Sequence, residues 1–175
     1  CLVGKSEAYE KLDTFIVGGE TVETVHVDAV QWKKAPNRFE GGIQNYAGAI
    51  GLGAACEYLG KIGMKKVEEH EKMIGKKLIE AVKSVPNSTI YGSPSSESRS
   101  ALVPFNLKNV PHHQVALMCD SLSKIALRSG VFCAQPAMES LGAPDGAVRA
   151  SLYVYNTENE IAAFKETLEK IAKLG

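Results

Sequence analysis

Cys133 is the residue of this sequence best suited to covalent chemistry, and it lies in the segment RSGVFCAQP at residues 128–136. The Ser-Gly pair before it favours a turn after a strand, and Pro136 restricts how a following helix can begin. Arg128 and Arg149 are close in sequence, and nearby positive charge favours the nucleophilic thiolate. Most free cysteines are nevertheless buried and inert. Two interpretations therefore remain open, a core thiol or a thiol presented on a loop for chemistry.

Arg149 is the second candidate, because it opens the apolar stretch VRASLYVYN. An arginine at the start of a strand is usually part of a surface ion pair. Its planar guanidinium can also hold a carboxylate through two parallel hydrogen bonds. The sequence leaves both roles open.

The remaining cysteines and histidines favour structural roles. Cys56 and Cys119 fall inside helical patterns, which favours inert thiols, and His112 and His113 fall in the first turn of a predicted helix, which favours cap or surface roles. The four cysteines show no CxxC or Cys/His ligand spacing. The spacing argues against structural zinc and against a secreted disulfide framework.

The elements that must position these residues begin after an irregular leader of about 45 residues, which has short β-branched stretches and no sustained helical period. AGAIGLGAACEYLGKIG then predicts a helix whose glycines allow close packing. A second helix, MKKVEEHEKMIGKKLIEAVKSV, ends before Pro86. Its predicted buried stripe consists of Val67, Met73, Ile74, Leu78, Ile79 and Val82.

The rest of the chain alternates between short strands and helices. Strands are predicted in STIYG, SALVPFNL, KIALRSG and VRASLYVYN, and helices in VPHHQVALMCDSL, QPAMESLG and TENEIAAFKETLEKIAKL. Thr157 and Glu160 form a predicted capping box for the last helix. This order predicts an α/β fold class. The glycines of GGIQNYAGAIGLGAA do not form GxGxxG after a strand, so no dinucleotide site is predicted.

Composition argues against several classes of partner. Twenty basic and twenty acidic residues give a formal net charge of zero, which disfavours nucleic acid and anionic membranes as partners. Hydrophobic residues make up 45% and charged residues 23%, as in ordinary globular proteins. The sequence has no apolar run of about 20 residues and no signal peptide pattern. We therefore expect a reducing, cytoplasmic location.

Three segments together resemble the C-terminal part of a cysteine desulfurase: QWKKAPNRFEGGIQNYAGAIGLGAACEYL, PHHQVALMCDSLSKIALRSGVFCAQPAMESLG and VRASLYVYNTENEI. The resemblance is to the selenocysteine-lyase-like branch of the class V aminotransferases. These enzymes are pyridoxal-phosphate-dependent transferases of fold type I. It implies that residues 46–175 are the small C-terminal domain. Residues 1–45 would then be a remnant of the large, cofactor-binding domain and its linking segment.

The resemblance also implies an activity. The family removes sulfur from L-cysteine, giving L-alanine and an enzyme persulfide that feeds iron–sulfur cluster assembly, with pyridoxal phosphate as cofactor. Cys133 matches the nucleophile, Arg149 matches the residue that holds the substrate carboxylate, and Arg128 matches an assisting arginine. Gly42, Ile43 and Gln44 match the segment that reaches the cofactor phosphate of the partner subunit in the family's homodimer.

The sequence departs from the family in three places. The Ser-His-Lys motif that carries the Schiff-base lysine is absent, the family's threonine is Ile43, and its His-His pair is Val131-Phe132. These departures imply that the chain is inactive alone. Its expected partner is the lysine-bearing large-domain half or a full-length desulfurase.

Three further interpretations stay open. The chain could instead be a non-catalytic sulfur-acceptor, or a dimerisation and docking module, or a fragment of a complete enzyme. We also expect self-association, through the leader or the glycine-rich helix.

Overall fold

A computed structural model describes residues 1–174, and the chain divides into two units at Tyr58 and Leu59. The first unit begins with a short helix, α1 (Ser6–Tyr9), and an antiparallel strand pair, β1 (Val22–Val25) and β2 (Val30–Trp32). The irregular leader predicted from the sequence is therefore a hairpin with connecting loops. The predicted domain boundary at residue 45 stays a prediction.

The side chain of Arg38 connects separate segments of the leader. Its guanidinium donates to the backbone carbonyls of Tyr9 and Leu12, the latter at 2.7 Å, and stacks over the ring of Phe39 with its central carbon 4.8 Å from the ring centroid. Hydrogen bonds from one planar fork can hold loop carbonyls that have no strand partner.

Helix α2 (Tyr46–Ile62) forms where the sequence predicts it and ends before Gly63, whose φ of 91° leaves the helical region. The prediction that its glycines serve close packing is wrong for residues 1–174. None of its residues is buried, and a Cβ placed on Gly51 or Gly53 would meet nothing within 4 Å. Small residues permit close approach but do not supply the neighbour.

The second unit has the predicted order of elements. They are α3 (Met64–Ser84), β3 (Ser88–Ile90), β4 (Leu102–Leu107), α4 (His112–Ser123), β5 (Arg128–Gly130), α5 (Gln135–Ser140), β6 (Ala147–Ser151) and α6 (Glu158–Ala172). The four strands form an antiparallel sheet in the order β3-β4-β6-β5. Strand β6 is shorter than predicted, because the chain turns after Ser151.

Helices α3, α4 and α6 pack on one face of this sheet. Alternate strand residues point toward them, among them Val103, Phe105 and Val148, all fully buried, and Phe105 meets Phe164 of α6 edge-on at 6.0 Å. The predicted stripe of α3 is buried except at Met73, which is 42% exposed. The prediction was wrong there because Met73 lies at the edge of the stripe, while Gly75 takes the buried position against Ala101.

The alternation that buries Val148 turns Arg149 to the opposite face of the sheet. We call this side, formed by Pro104, Asn106, Arg128, Ala147 and Arg149, the open face. It is covered in part by α5, whose Met138 packs on Ala147.

Candidate functional site

Cys133 lies on the short loop between β5 and α5, and its side chain is exposed. Phe132 and Cys133 have φ values of 59° and 54°, so two successive non-glycine residues adopt the left-handed region. Such conformations are sparsely populated and persist only where the surrounding structure imposes them. The loop therefore presents the thiol from a constrained backbone, in agreement with the loop interpretation of the sequence.

Arg128 and Arg149 face each other across the β5–β6 pair in direct register. They share the open face, and like charges directly opposite on a sheet destabilise it. No carboxylate among residues 1–174 lies within ion-pairing distance of either guanidinium. Two unneutralised cations side by side favour an anion as their ligand.

Arg149 connects the sheet to the cysteine loop. Its guanidinium carbon lies 5.2 Å from the centroid of the Phe132 ring, and Phe132 precedes Cys133 in the chain. The Nε of Arg149 is buried and has no hydrogen-bond acceptor. A buried donor without an acceptor is costly, and a bound carboxylate would satisfy it.

Asn106 and Tyr91 are polar residues of the same side of the sheet that the sequence interpretation missed. The side-chain amide of Asn106 donates to the Tyr91 hydroxyl at 3.2 Å and to the Gly146 carbonyl at 3.0 Å, while its Oδ1 is buried and unpartnered. The alternation in LVPFNL, with Asn106 between the buried Phe105 and Leu107, is the signal that could have identified it.

The two histidines of α4 contact loop and strand residues rather than the two arginines. His113 is exposed, as predicted, and its Nδ1 is 2.7 Å from the Ser129 hydroxyl, while His112 is half-buried with Nε2 3.1 Å from the Asp145 carbonyl. Neither caps the helix, since the N-cap position is Pro111.

Cys119 and Cys56 differ in environment. Cys119 is fully buried, and burial raises the pKa of its thiol to about 11, so it stays protonated and unreactive. Cys56 lies in α2, as predicted, but is exposed.

The segment expected to reach a cofactor phosphate, Gly42, Ile43 and Gln44, lies at a bend in the first unit, where Ile43 is exposed and its two neighbours are half-buried. Gly42 has a φ of 75° and its amide donates to the Gly19 carbonyl at 2.8 Å. The amides of Ile43 and Gln44 have no acceptor among residues 1–174. Successive free amides suit a phosphate, so the backbone fits the cofactor's phosphate, although Ile43 adds no hydroxyl donor.

A cavity of ≈ 330 Å³ lies between the end of α4 and the start of α6, lined among others by Lys124, Leu152 and Glu160, and none of the predicted site residues lines it. Residues 1–174 hold no cluster of three or more metal-ligating side chains and no helix long and apolar enough to cross a bilayer.

Comparison with known proteins identifies the family. The sequence profile of the class-V aminotransferases matches residues 1–164. The chain belongs to this family. Class-V aminotransferases are pyridoxal-phosphate proteins, which agrees with the expectation drawn from the resemblance.

A protein of Halalkalibacterium halodurans named "Probable cysteine desulfurase" is 40% identical over 169 residues, which is 97% of this chain and 40% of that protein. The apo structure of cysteine desulfurase from Thermococcus onnurineus NA1 matches with a TM-score of 0.90 and 34% identity, over 97% of this chain and 42% of that one. The Escherichia coli cysteine desulfurase CsdA, in an S-sulfonic acid form, matches with a TM-score of 0.89 and 30% identity. The match covers 98% of this chain and 41% of that one. The chain spans about two fifths of the length of these relatives, and the predicted partial fold of the pyridoxal-phosphate transferases is confirmed.

Proposed function

We propose that this chain is the C-terminal part of a cysteine desulfurase, which removes sulfur from L-cysteine and leaves L-alanine and a persulfide. The observation that carries the proposal is the joint geometry of the cysteine loop and the open face. An exposed thiol follows a ring that stacks on an arginine without an acid partner. A nucleophile beside an anion-binding group is what transfer of sulfur from an amino acid requires.

In the proposed reaction Cys133 is the nucleophile. Its thiolate attacks the sulfur of the substrate, an S–S bond forms and the bond between that sulfur and the substrate's Cβ breaks. The electron pair of the broken bond stays with the substrate carbon, which takes up a proton to become alanine. The products, alanine and the Cys133 persulfide, balance the substrate cysteine and the Cys133 thiol.

Arg149 orients the substrate by holding its carboxylate, and Arg128 assists from the neighbouring strand. The buried Nε of Arg149 gains an acceptor when a carboxylate binds. A fixed carboxylate limits where the substrate's sulfur can lie relative to the thiol, which is how positioning accelerates a reaction.

The cofactor is pyridoxal phosphate, which when bound supplies an electron sink for the bond-breaking step. The free amides of Ile43 and Gln44 would help to hold its phosphate in a partner subunit. The lysine that holds it comes from sequence outside these 175 residues, because the Ser-His-Lys motif does not occur within them.

The wider assignments follow from the same proposal. The chain is inactive without the lysine-bearing half, acts in a homo-oligomer and delivers persulfide sulfur for iron–sulfur cluster assembly in the cytoplasm. A separate sulfur-acceptor protein takes the sulfur from Cys133.

The test combines the chain with the lysine-bearing segment of a relative and pyridoxal phosphate, and measures alanine formed from L-cysteine. We expect Cys133→Ser to lower the rate by more than about 100-fold, because the nucleophile is lost. Cys56→Ser is the matched control, an exposed cysteine with no assigned role, and should behave as the parent. Equal rates for the parent and Cys133→Ser, or no alanine from an intact complex, would overturn the proposal.

A second function is favoured by the exposure of Cys133 itself. A thiol open to solvent can receive sulfur from another protein's persulfide by exchange, with no cofactor in this chain. In that case mass spectrometry would find one added sulfur on Cys133 after exposure to a charged desulfurase, while the reconstituted complex would form no alanine.

A further inference from the structure

The ring of Phe132 is the one aromatic surface against which the Arg149 guanidinium stacks among the described residues. The ring is half-buried and packs against the small cluster of Met138, Ala143 and Ala147. Its position is therefore set from two sides, by α5 and by the first residue of β6. A guanidinium lying over a fixed ring loses freedom to tilt and rotate.

Arg149 has few other restraints within residues 1–174. No carboxylate pairs with it, and its Nε has no acceptor although that atom is buried. The residue directly across the strand pair is a second cation, Arg128, and a like charge there supplies no attractive restraint on the guanidinium. The orientation of Arg149 therefore depends on the ring.

Phe132 also belongs to the loop that carries the thiol. Phe132 and Cys133 both have positive φ, so a single constrained turn sets the direction of the ring and of the sulfur. The residue thereby links the group proposed to hold the carboxylate to the group proposed to attack the sulfur.

We propose that Phe132 is a positioning residue, whose ring fixes the guanidinium plane of Arg149 for the substrate carboxylate. This inference rests on the proposed function for the identity of the substrate. Where the family has a His-His pair, this chain has Val131-Phe132. The change removes two polar groups, and it also supplies an aromatic ring that orients Arg149. Phe132 itself transfers no proton and touches no reacting atom.

The kinetic test uses the chain reconstituted with the lysine-bearing segment and pyridoxal phosphate. We expect Phe132→Leu to raise KM for L-cysteine about fivefold, the ratio that a partly exposed cation–π contact supports. The value of kcat should change much less. The contact between Arg149 and the substrate carboxylate is equal in the bound substrate and in the transition state, and weakening such a contact affects KM alone. Phe132→Tyr keeps the ring and should restore KM to within about twofold of the parent.

Val131→Ala is the matched control, because Val131 packs against the same cluster but has no aromatic ring to lie under the Arg149 guanidinium. It should lower the thermal stability without changing KM. A KM for Phe132→Leu equal to that of the parent, or Phe132→Tyr as impaired as Phe132→Leu, would overturn the inference.

A second readout needs no activity. The Nε–H of Arg149 is buried, and the guanidinium carbon next to it lies over the Phe132 ring, so the ¹⁵N spectrum of the chain alone should show a ring-current shift for this group. The ring-current shift should vanish in Phe132→Leu and persist in Phe132→Tyr and Val131→Ala. On addition of sodium acetate, the Nε–H signal itself should move less in Phe132→Leu than in the parent. An Nε–H signal unaffected by Phe132→Leu would overturn the inference. If the signal behaves as expected and no alanine forms, the proposed function fails and the positioning role survives.

Discussion

Cys119 and Cys133 have the same side chain in opposite environments. Cys119 is sealed in the core, where burial raises the pKa of the thiol to about 11. Cys133 is exposed on a backbone turn that non-glycine residues seldom adopt. Because only a thiolate is a good nucleophile, burial excludes Cys119 from the chemistry proposed for Cys133.

The register of Arg128 with Arg149 gives a prediction in which stability and binding move in opposite directions. Arg128→Gln removes a like charge from directly across the strand pair, so the free energy of unfolding should rise by about 0.5 kcal/mol at low salt. The same change should raise KM for L-cysteine, because one of the two cations proposed to bind the substrate carboxylate is lost. Urea unfolding and steady-state kinetics of the reconstituted complex measure the two effects.

Arg128→Lys is the control, since it keeps the charge and should keep the parent's stability. Salt screens the repulsion, so the difference between the parent and Arg128→Gln should shrink at high ionic strength. A variant Arg128→Gln that is less stable than the parent would show that the arginine pair is not under electrostatic strain.

The sheet is the element that assembles the site, since alternation on β6 gives Val148 to the core and Arg149 to the open face. Helix α6 covers the other side, with Phe164, Leu168 and Ile171 in the core. The start of that helix is fixed by the capping box of Thr157 and Glu160. The backbone amide of Thr157 donates to the Glu160 carboxylate at 2.6 Å, and the Thr157 hydroxyl donates to the same carboxylate at 3.1 Å.

The capping box makes stability depend on pH in acid. Hydrogen bonds from the backbone and side chain of Thr157 lower the pKa of Glu160 below its ordinary value of 4.5. The carboxylate therefore stabilises the folded state above that pH, and the stabilisation is lost as the pH falls through the lowered pKa. We expect Glu160→Gln to be less stable than the parent at pH 7 and to converge with it in stronger acid.

Thr157→Ala should cost about 1 kcal/mol of unfolding free energy, the usual value of an N-cap. Glu166→Gln, an exposed change on the same helix, is the control and should leave both the stability and its pH dependence unchanged. Denaturant unfolding followed at several pH values checks both expectations. A constant difference between Glu160→Gln and the parent at every pH would contradict the assignment to the carboxylate.

The described residues expose more large apolar side chains than the surface of a monomeric globular protein normally does. In α2 the large exposed residues include Ile50 at 75%, Leu52 at 50% and Tyr58 at 60%. The leader adds Phe15 at 72% and Val27 at 109%. Burying such surface is favourable by about 25 cal/mol per Å², so it favours association.

We therefore predict that the chain self-associates in a concentration-dependent way, as light scattering would show. The double change Ile50→Lys with Leu52→Lys should shift the equilibrium toward monomer, because charge opposes burial of this helix. Leu122→Lys, at a 57% exposed position of α4, is the control and should have no effect. A parent chain that stays monomeric at high concentration would contradict the prediction.

The sequence by itself determined the order of elements in the second unit, the end of α3 before Pro86, the capping box of α6 and the family. Each of these depends on local rules, namely periodicity, proline geometry and hydrogen bonds between near neighbours, or on motifs quoted residue by residue. For Cys133 the Ser-Gly and Pro neighbours favoured a loop but left a core thiol open, and the structure shows the thiol exposed on a loop. The roles of Cys133, Arg128, Arg149 and residues 42–44 remain proposals.

Only the tertiary structure decided which side chains contact each other across strands and which apolar side chains stay exposed. The register of Arg128 with Arg149, the ring of Phe132 under that arginine and the place of Asn106 beside them depend on sheet pairing between distant segments. The exposure of α2 and of Met73 likewise depends on which neighbours are present. The physical reason is that a helical or strand period fixes which residues share a face, whereas burial and pairing require a partner surface that no local pattern encodes.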